Sequence, residues 1–92
     1  MSKESKGRPA RLPSEVQGNV LYFIWAEVKE NLGQPSYREI VEHFGWHSTF
    51  RVHDILQILI KKGYIEKVGK SRSVIFTELG KEYCRNRSGN NG

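Results

Sequence analysis

Apolar side chains recur every three to four residues in three stretches of the chain, the spacing of an amphipathic helix. The first predicted helix begins at Ser14, where Ser14 and Gln17 have the spacing of a capping box, and ends near Asn31. Its apolar face consists of Val20, Leu21, Ile24, Val28 and Leu32, with Trp25 at its edge. Tyr22 and Phe23 fall outside this face, so they either pack on the C-terminal segment or are exposed.

Two shorter amphipathic stretches predict a second and a third helix joined by a tight turn. Ser36 and Glu39 form a second capping box, and the helix that follows covers about Tyr37–Phe44. Gly45 supplies the conformational freedom that a tight turn needs. The third helix runs from its N-cap, Ser48, to Lys62. This arrangement is a helix-turn-helix.

The third helix has one apolar face and one polar face. Its core face consists of Val52, Ile55, Leu56 and Leu59. The opposite face consists of Phe50, Asp54, Gln57 and Lys61, flanked by Arg51 and His53. Ile58 and Ile60 lie outside the core arc, so they form a partner surface or the seat of the last helix.

Two β-prone segments, Tyr64–Val68 and Ser73–Phe76, predict a hairpin with a basic loop at its tip. Thr77 is the expected cap of a last short helix that ends near Arg87. The predicted fold class is therefore mainly α with a small antiparallel β-hairpin. In detail it is a winged helix-turn-helix, with a three-helix core, a two-stranded wing and a short C-terminal helix.

The expected domain organisation is a disordered basic arm over residues 1–13, the winged helix over residues 14–86 and a disordered tail over residues 87–92. Within the arm, Lys6 to Pro9 followed by Arg11 resembles an AT-hook, whose arginines lie in a narrow minor groove. A plain basic tail is the other interpretation. In both cases Arg8 and Arg11 can contact phosphate.

The chain carries a net charge of +5 that is unevenly distributed. Residues 1–13 carry +3 and residues 45–76 carry +4, whereas residues 14–33 carry −2. A polyanion is the partner that suits such a surface. The alternative interpretation is that the charges only keep the tail solvated. The single Cys84 excludes an internal disulfide, and no apolar run reaches the length of a membrane span or a signal peptide. We therefore expect a soluble intracellular protein.

No constellation of catalytic residues is recognisable in the sequence. It contains no phosphate-binding glycine loop, no nucleophile elbow and no paired catalytic carboxylates. His43, His47 and His53 lack the cysteine or carboxylate that would complete a metal site. We expect neither an enzyme nor a metal or other cofactor.

The stretch Pro35–Gly45, with its Pro-Ser-x-x-Glu-Ile helix start, resembles the N-terminal DNA-binding domain of LexA-type repressors. The serine that opens the third helix, Ser48, and the exit Lys62–Ile65 into the wing are similar as well. The resemblance covers about residues 12–76. It implies a winged helix that binds double-stranded DNA and regulates transcription, acting in the cytoplasm of a prokaryote or on behalf of a virus.

Two features depart from the LexA pattern. The self-cleaving protease domain of those repressors, which also dimerises, has no counterpart here, so we expect no autoproteolysis. Dimerisation would need another source, such as exposed apolar residues. The residues at the base-contacting positions also differ, namely Phe50, Arg51, His53 and Asp54. The operator sequence of LexA therefore does not carry over.

Base contacts are expected near the start of the third helix, which fits the major groove. Arg51 and His53 can donate to guanine, and Phe50 can pack on a thymine methyl group. Asp54 can accept from cytosine or hold Arg51 in an ion pair. The full set of predicted DNA-contacting residues is Arg8, Arg11, Ser36, Arg38, Ser48, Thr49, Phe50, Arg51, His53, Asp54, Gln57, Lys61, Lys70, Ser71 and Arg72.

Two other functions fit the same sequence. In one, the winged helix is a protein-interaction module with a docking patch made of Phe50, Ile58 and Ile60. In the other, it is an architectural protein that binds DNA without reading its sequence. Winged helices perform more than one task, so the fold does not decide between them.

Overall fold

The computed structural model describes residues 12–31, 33–69 and 73–89. The elements are α1 (Glu15–Asn31), α2 (Tyr37–Phe44), α3 (Thr49–Lys62), β1 (Ile65–Lys67), β2 (Val74–Phe76) and α4 (Glu78–Gly89). The two strands pair antiparallel, with Ile65 opposite Phe76 and Lys67 opposite Val74. The predicted winged helix-turn-helix fold is therefore confirmed.

Side-chain caps fix where the first two helices begin. At α1, the Ser14 backbone N–H donates to Gln17 Oε1 (3.0 Å) and the Gln17 N–H donates to Ser14 Oγ (3.2 Å). At α2, the same reciprocal pair joins Ser36 and Glu39, at 2.8 and 3.0 Å. Both predicted capping boxes are present, and each satisfies backbone N–H groups that have no partner within the helix.

The turn between α2 and α3 depends on one left-handed residue. Gly45 closes α2 with φ of 74°, a conformation that residues with a Cβ adopt rarely. Three residues later Ser48 caps α3, its Oγ accepting from the Phe50 N–H at 3.1 Å. Gly63 then ends α3 with φ of 90°. The predicted bounds of α2 and α3 are confirmed.

The core is formed by one face of each long helix together with the start of the wing. Its buried apolar residues are Val20, Leu21, Ile24, Ile40, Val52, Ile55, Leu56, Leu59, Tyr64, Ile65 and Cys84. The prediction for Val28 was wrong, because Val28 is 39% exposed. It lies one turn beyond Ile24, the last residue of α1 that is fully buried among those described. Leu32 lies outside the described residues.

Tyr22 and Phe23 pack in two different places. The Arg87 guanidinium of α4 lies 5.2 Å from the centre of the Tyr22 ring, which is the expected contact with the C-terminal segment. Phe23 instead stacks on His43 of α2, with the ring centres 4.0 Å apart. Arg87 also donates to Asn19 Oδ1 at 2.6 Å. The helix α4 continues to Gly89, two residues beyond the end predicted near Arg87.

The wing and α4 are held against the helices by polar contacts and one close approach. Thr77 Oγ1 donates to the Gly63 carbonyl at 2.6 Å and accepts from the Gly80 N–H at 3.1 Å, so Thr77 caps α4 as predicted. A Cβ at Gly80 would overlap the Tyr64 carbonyl oxygen, which explains the glycine there. The strands are shorter than predicted, although the Val68 N–H still donates to the Ser73 carbonyl beyond them.

Cys84 is part of the core and is fully buried. Burial raises the pKa of its thiol to about 12, so the sulfur is protonated at neutral pH. Because the thiolate is the reactive form of cysteine, this packed thiol is inert. Among the described residues, no helix combines the length and the apolar character that crossing a membrane requires.

Candidate nucleic-acid interface

The outward face of α3 presents the predicted reading residues together. Phe50 is 77% exposed, although an apolar ring of this size is usually at least partly covered. The other residues of this face are also exposed: Arg51, His53, Asp54, Gln57 and Lys61. One turn of the helix separates Phe50 from Asp54, so the group forms a continuous polar strip with an aromatic ring at its N-terminal end.

Two exposed serines cap the N-terminal ends of α2 and α3. Ser48 and Ser36 are exposed, and each hydroxyl oxygen already accepts a backbone N–H as an N-cap. A hydroxyl also has one hydrogen to donate. Each serine can therefore keep its helix capped and still donate to a phosphate oxygen. Thr49 is exposed next to Ser48 in the first turn of α3.

Arg51 lies against an aromatic ring rather than next to a carboxylate. Its guanidinium carbon is 4.5 Å from the centre of the Trp46 ring, the geometry of a cation–π contact. The two residues line an open depression of about 460 Å³ at the start of α3, together with Gly45, His47, Ser48, Phe50 and Asp54. The sequence predicts a DNA base or Asp54 as the partner of Arg51. In the free protein Arg51 contacts Trp46 instead of Asp54.

Arg38 stands near the start of α2 in a different environment. Its Nε lies 3.8 Å from Glu42 Oε2, and the two side chains are 84% and 72% exposed. Water screens a pair as exposed as this one, so the bond holds Arg38 weakly. Arg38 can leave Glu42 for a phosphate group at little cost.

Five of the predicted DNA-contacting residues, which come before α1 or in the wing loop, lie outside the described residues. These are Arg8 and Arg11 in the N-terminal arm, and Lys70, Ser71 and Arg72 in the wing loop. The strands leading to that loop are described, and Gln34 Oε1 accepts from the Val74 N–H at 2.9 Å. The wing is thereby joined to the segment just before α2, so the two parts have a fixed spacing.

The proposed docking patch of Phe50, Ile58 and Ile60 does not form a single surface. Ile60 is half-buried and packs against the core, which removes it from any exposed patch. Ile58 is 37% exposed, whereas Phe50 is two turns away and 77% exposed. The reason is that Ile58 and Ile60 are two positions apart in a helix, so they are separated by about 200° around its axis and face different sides.

Two contacts of this region were not predicted from the sequence. One is the pairing of Trp46 with Arg51, which follows no helical spacing. The other is the bond from Lys62 Nζ to Gln17 Oε1 at 2.8 Å, between residues 45 positions apart in the chain. Among the described residues, no three histidine, cysteine or acidic side chains are grouped as a metal site would require.

Comparison with known proteins places this geometry in a family. The family model of the LexA DNA binding domain matches residues 12–73. The LexA repressor of Ruminiclostridium cellulolyticum is 34% identical over 84 residues, covering 90% of this chain and 39% of the relative. That of Petrotoga mobilis is 43% identical over 58 residues, covering 63% of this chain and 28% of the relative.

A third relative, the LexA repressor of Lactobacillus johnsonii, is 42% identical over 67 residues. The match covers 72% of this chain and 32% of that protein. The chain thus spans between 28% and 39% of the length of these three relatives. The region matched by the family model includes α1, the two helices of the helix-turn-helix (α2 and α3) and the first strand of the wing.

Proposed function

Because this chain belongs to the LexA DNA-binding domain family, we propose that it is a sequence-specific regulator of transcription that acts as a repressor on double-stranded DNA. The unit that binds DNA is the winged helix, here assigned to residues 14–89. Residues 1–13 serve as a basic arm, with Arg8 and Arg11 on phosphate or in the minor groove.

The observation that carries the proposal is the contrast between the two sides of α3. Its inner side is at most 7% exposed and fixes the helix to the core. Its outer side presents Arg51, His53 and Asp54 to solvent beside the N-cap Ser48. An α-helix fits the major groove, and residues near its N-terminus reach base edges. The polar strip begins at that end.

Each residue of the strip has a role set by its chemistry. Arg51 donates two N–H groups to O6 and N7 of guanine, and His53 donates to guanine as well. Asp54 accepts from the cytosine amino group. Phe50 packs on a thymine methyl group, which gives its exposed ring a partner. Each good bidentate pair contributes about 1–3 kcal/mol of discrimination against a wrong base.

A second group holds the protein on the duplex without reading it. It consists of Ser36, Arg38, Ser48, Thr49, Gln57, Lys61, Lys70, Ser71 and Arg72. Their partners are phosphate and sugar groups, which set register and orientation. Lys70 and Arg72 would reach the backbone or the adjacent minor groove from the wing loop.

The experiment is a selection on random DNA duplexes with the full chain, followed by a salt titration on the recovered duplex. The proposal expects a defined motif, and Arg51→Ala should relax the preference at one base pair of that motif. A palindromic motif would indicate a dimer, because half-sites mirror the symmetry of the protein. Single half-sites would indicate a monomer.

Two outcomes would contradict this function. Weak binding to every duplex, lost at moderate salt, would point to an architectural DNA-binding protein. No binding to DNA at all would favour a protein-interaction module, for which the 77% exposure of Phe50 is the supporting observation. Phe50→Ala would then weaken capture of the partner while leaving the fold intact.

A further inference from the structure

A row of aromatic rings connects α1 to the outward face of α3. Phe23 of α1 stacks on His43, with ring centres 4.0 Å apart. Phe23 also meets the edge of Phe44, which stacks on Trp46 with centres 4.8 Å apart and an angle of 18°. Trp46 in turn carries the Arg51 guanidinium at 4.5 Å. The row ends at the residue with the strongest capacity to read a base.

We infer that Trp46 is a positioning residue that holds Arg51 for a guanine edge and so sets base specificity. The inference rests on the proposed function, because it concerns the same face of α3. It assigns the specificity at the guanine that Arg51 reads to two side chains, Trp46 and Arg51, of which only Arg51 touches DNA.

Trp46 is itself fixed from two directions. Its backbone N–H donates to the Val41 carbonyl at 2.9 Å, a bond made by the left-handed turn at Gly45. Its ring is half-buried against the core and stacked on Phe44. The direction of the ring is therefore set by the fold before any DNA is present.

Stacking suits an arginine that must read a base. When an aromatic ring covers the flat face of a guanidinium, the N–H donors of the guanidinium point outward in its own plane. They therefore stay available for the two acceptors of guanine. An arginine restrained in this way loses less rotamer freedom on binding than one in open solvent. A carboxylate partner such as Asp54 would instead occupy the same N–H groups that the base needs.

The test compares Trp46→Leu, Trp46→Phe, Arg51→Ala and the double variant Trp46→Leu with Arg51→Ala. The affinity of each 92-residue variant is measured for the duplex recovered by selection. It is also measured for duplexes in which one base pair at a time is replaced by each of the alternatives. Arg51→Ala identifies the base pair it reads, with an expected discrimination loss of about 5- to 150-fold. Trp46→Leu should lose about two- to fivefold at that base pair and nothing elsewhere. Trp46→Phe, a weaker ring partner, should fall between.

The double variant tests whether Trp46 acts through Arg51. If it does, Trp46→Leu has no effect on discrimination once Arg51 is alanine. Trp25→Leu is a matched control, because Trp25 also carries a cation, Lys29 at 5.2 Å, and packs on the wing at Phe76. It should leave discrimination at the Arg51 base pair unchanged. Circular dichroism and thermal melting check that each variant folds. If Trp46→Leu unfolds, Trp46→Phe replaces it in the comparison.

A readout without DNA separates this inference from the function on which it rests. In the free protein, the ring current of Trp46 should move the Arg51 side-chain proton resonances upfield, and Trp46→Leu should abolish the shift. If selection recovers a motif but Trp46→Leu weakens binding equally at every base pair, only the inference is overturned. The same holds if the losses of discrimination in the double variant are additive. A selection that recovers no motif overturns the proposed function and the inference together.

Discussion

One side of α3 is covered almost completely, whereas the other is open to solvent along the same four turns. Leu56 is 1% exposed and packs in the core, while Phe50 is 77% exposed on the opposite side. Both residues are apolar, so hydrophobicity alone does not explain where they lie. The buried side determines whether the helix is in place. The open side can change freely, because few contacts within the protein depend on it.

The largest expected effect is on the buried side. Leu56→Ala removes a side chain that is only 1% exposed, and substitutions of this kind cost about 2–5 kcal/mol of unfolding free energy. In a core this small that is a large share of the total. The midpoint of urea unfolding measures the change. DNA affinity should fall only in proportion to the unfolded fraction.

Leu56→Met is the control, since it conserves volume and should cost less than about 1.5 kcal/mol. An unchanged midpoint in Leu56→Ala would mean that the two sides of α3 are not divided as described.

The next effect concerns the N-terminal end that both sides share. Ser48→Ala removes the acceptor of the Phe50 N–H, and loss of such a cap costs about 1 kcal/mol, within a range of about 0.5–2. Ser48→Asp keeps an acceptor and therefore the stability, but places a negative charge where a phosphate would lie.

Comparing the two Ser48 variants separates folding from binding. We expect thermal melting to fall for Ser48→Ala alone and DNA affinity to fall clearly for Ser48→Asp. If Ser48→Asp binds as tightly as the unchanged chain, Ser48 does not face the backbone of the duplex.

A smaller effect is expected from the exposed ring. Phe50→Ala removes little packing and replaces phenylalanine with the best helix former, so the free energy of unfolding should rise by a few tenths of a kcal/mol, at most about 0.7. Binding should weaken at one thymine by about fourfold, which corresponds to one buried methyl group at about 0.8 kcal/mol.

Replacing that thymine with uracil, which lacks the methyl group, should remove the difference between the two proteins. A Phe50→Ala variant that is clearly less stable would instead show that Phe50 supports the fold.

The features that the sequence predicted well are those set within one element. The capping boxes at Ser14 and Ser36, and the glycine ends at Gly45 and Gly63, follow from bonds between residues at most five positions apart. The apolar arc of α3 was also predictable, because periodicity alone decides which side of a helix can be covered.

The features that escaped prediction depend on how elements meet. Val28 fits the apolar face of α1, yet its side chain is 39% exposed. Gln34 binds the Val74 N–H across 40 positions, a contact that no local pattern encodes. The cation–π pair of Trp46 and Arg51 crosses a helix start, where neither helical nor strand spacing applies. The exposed face of α3 was thus predictable, but the contacts that its residues make were not.

The smallest expected effect, and a general one, belongs to Arg38. Its exposed pair with Glu42 contributes little to stability, so Arg38→Gln should leave thermal melting nearly unchanged. If Arg38 contacts a phosphate, the variant should weaken binding to all duplexes alike. The slope of log affinity against log salt should become shallower by about one, since one fewer counterion is released. Glu42→Gln is the matched control: it frees Arg38 from its competitor, so binding should stay equal or tighten slightly with the slope preserved. A loss confined to one base pair in Arg38→Gln would move Arg38 from the residues that hold DNA to those that read it, and the contrast between the two sides of α3 would no longer account for specificity.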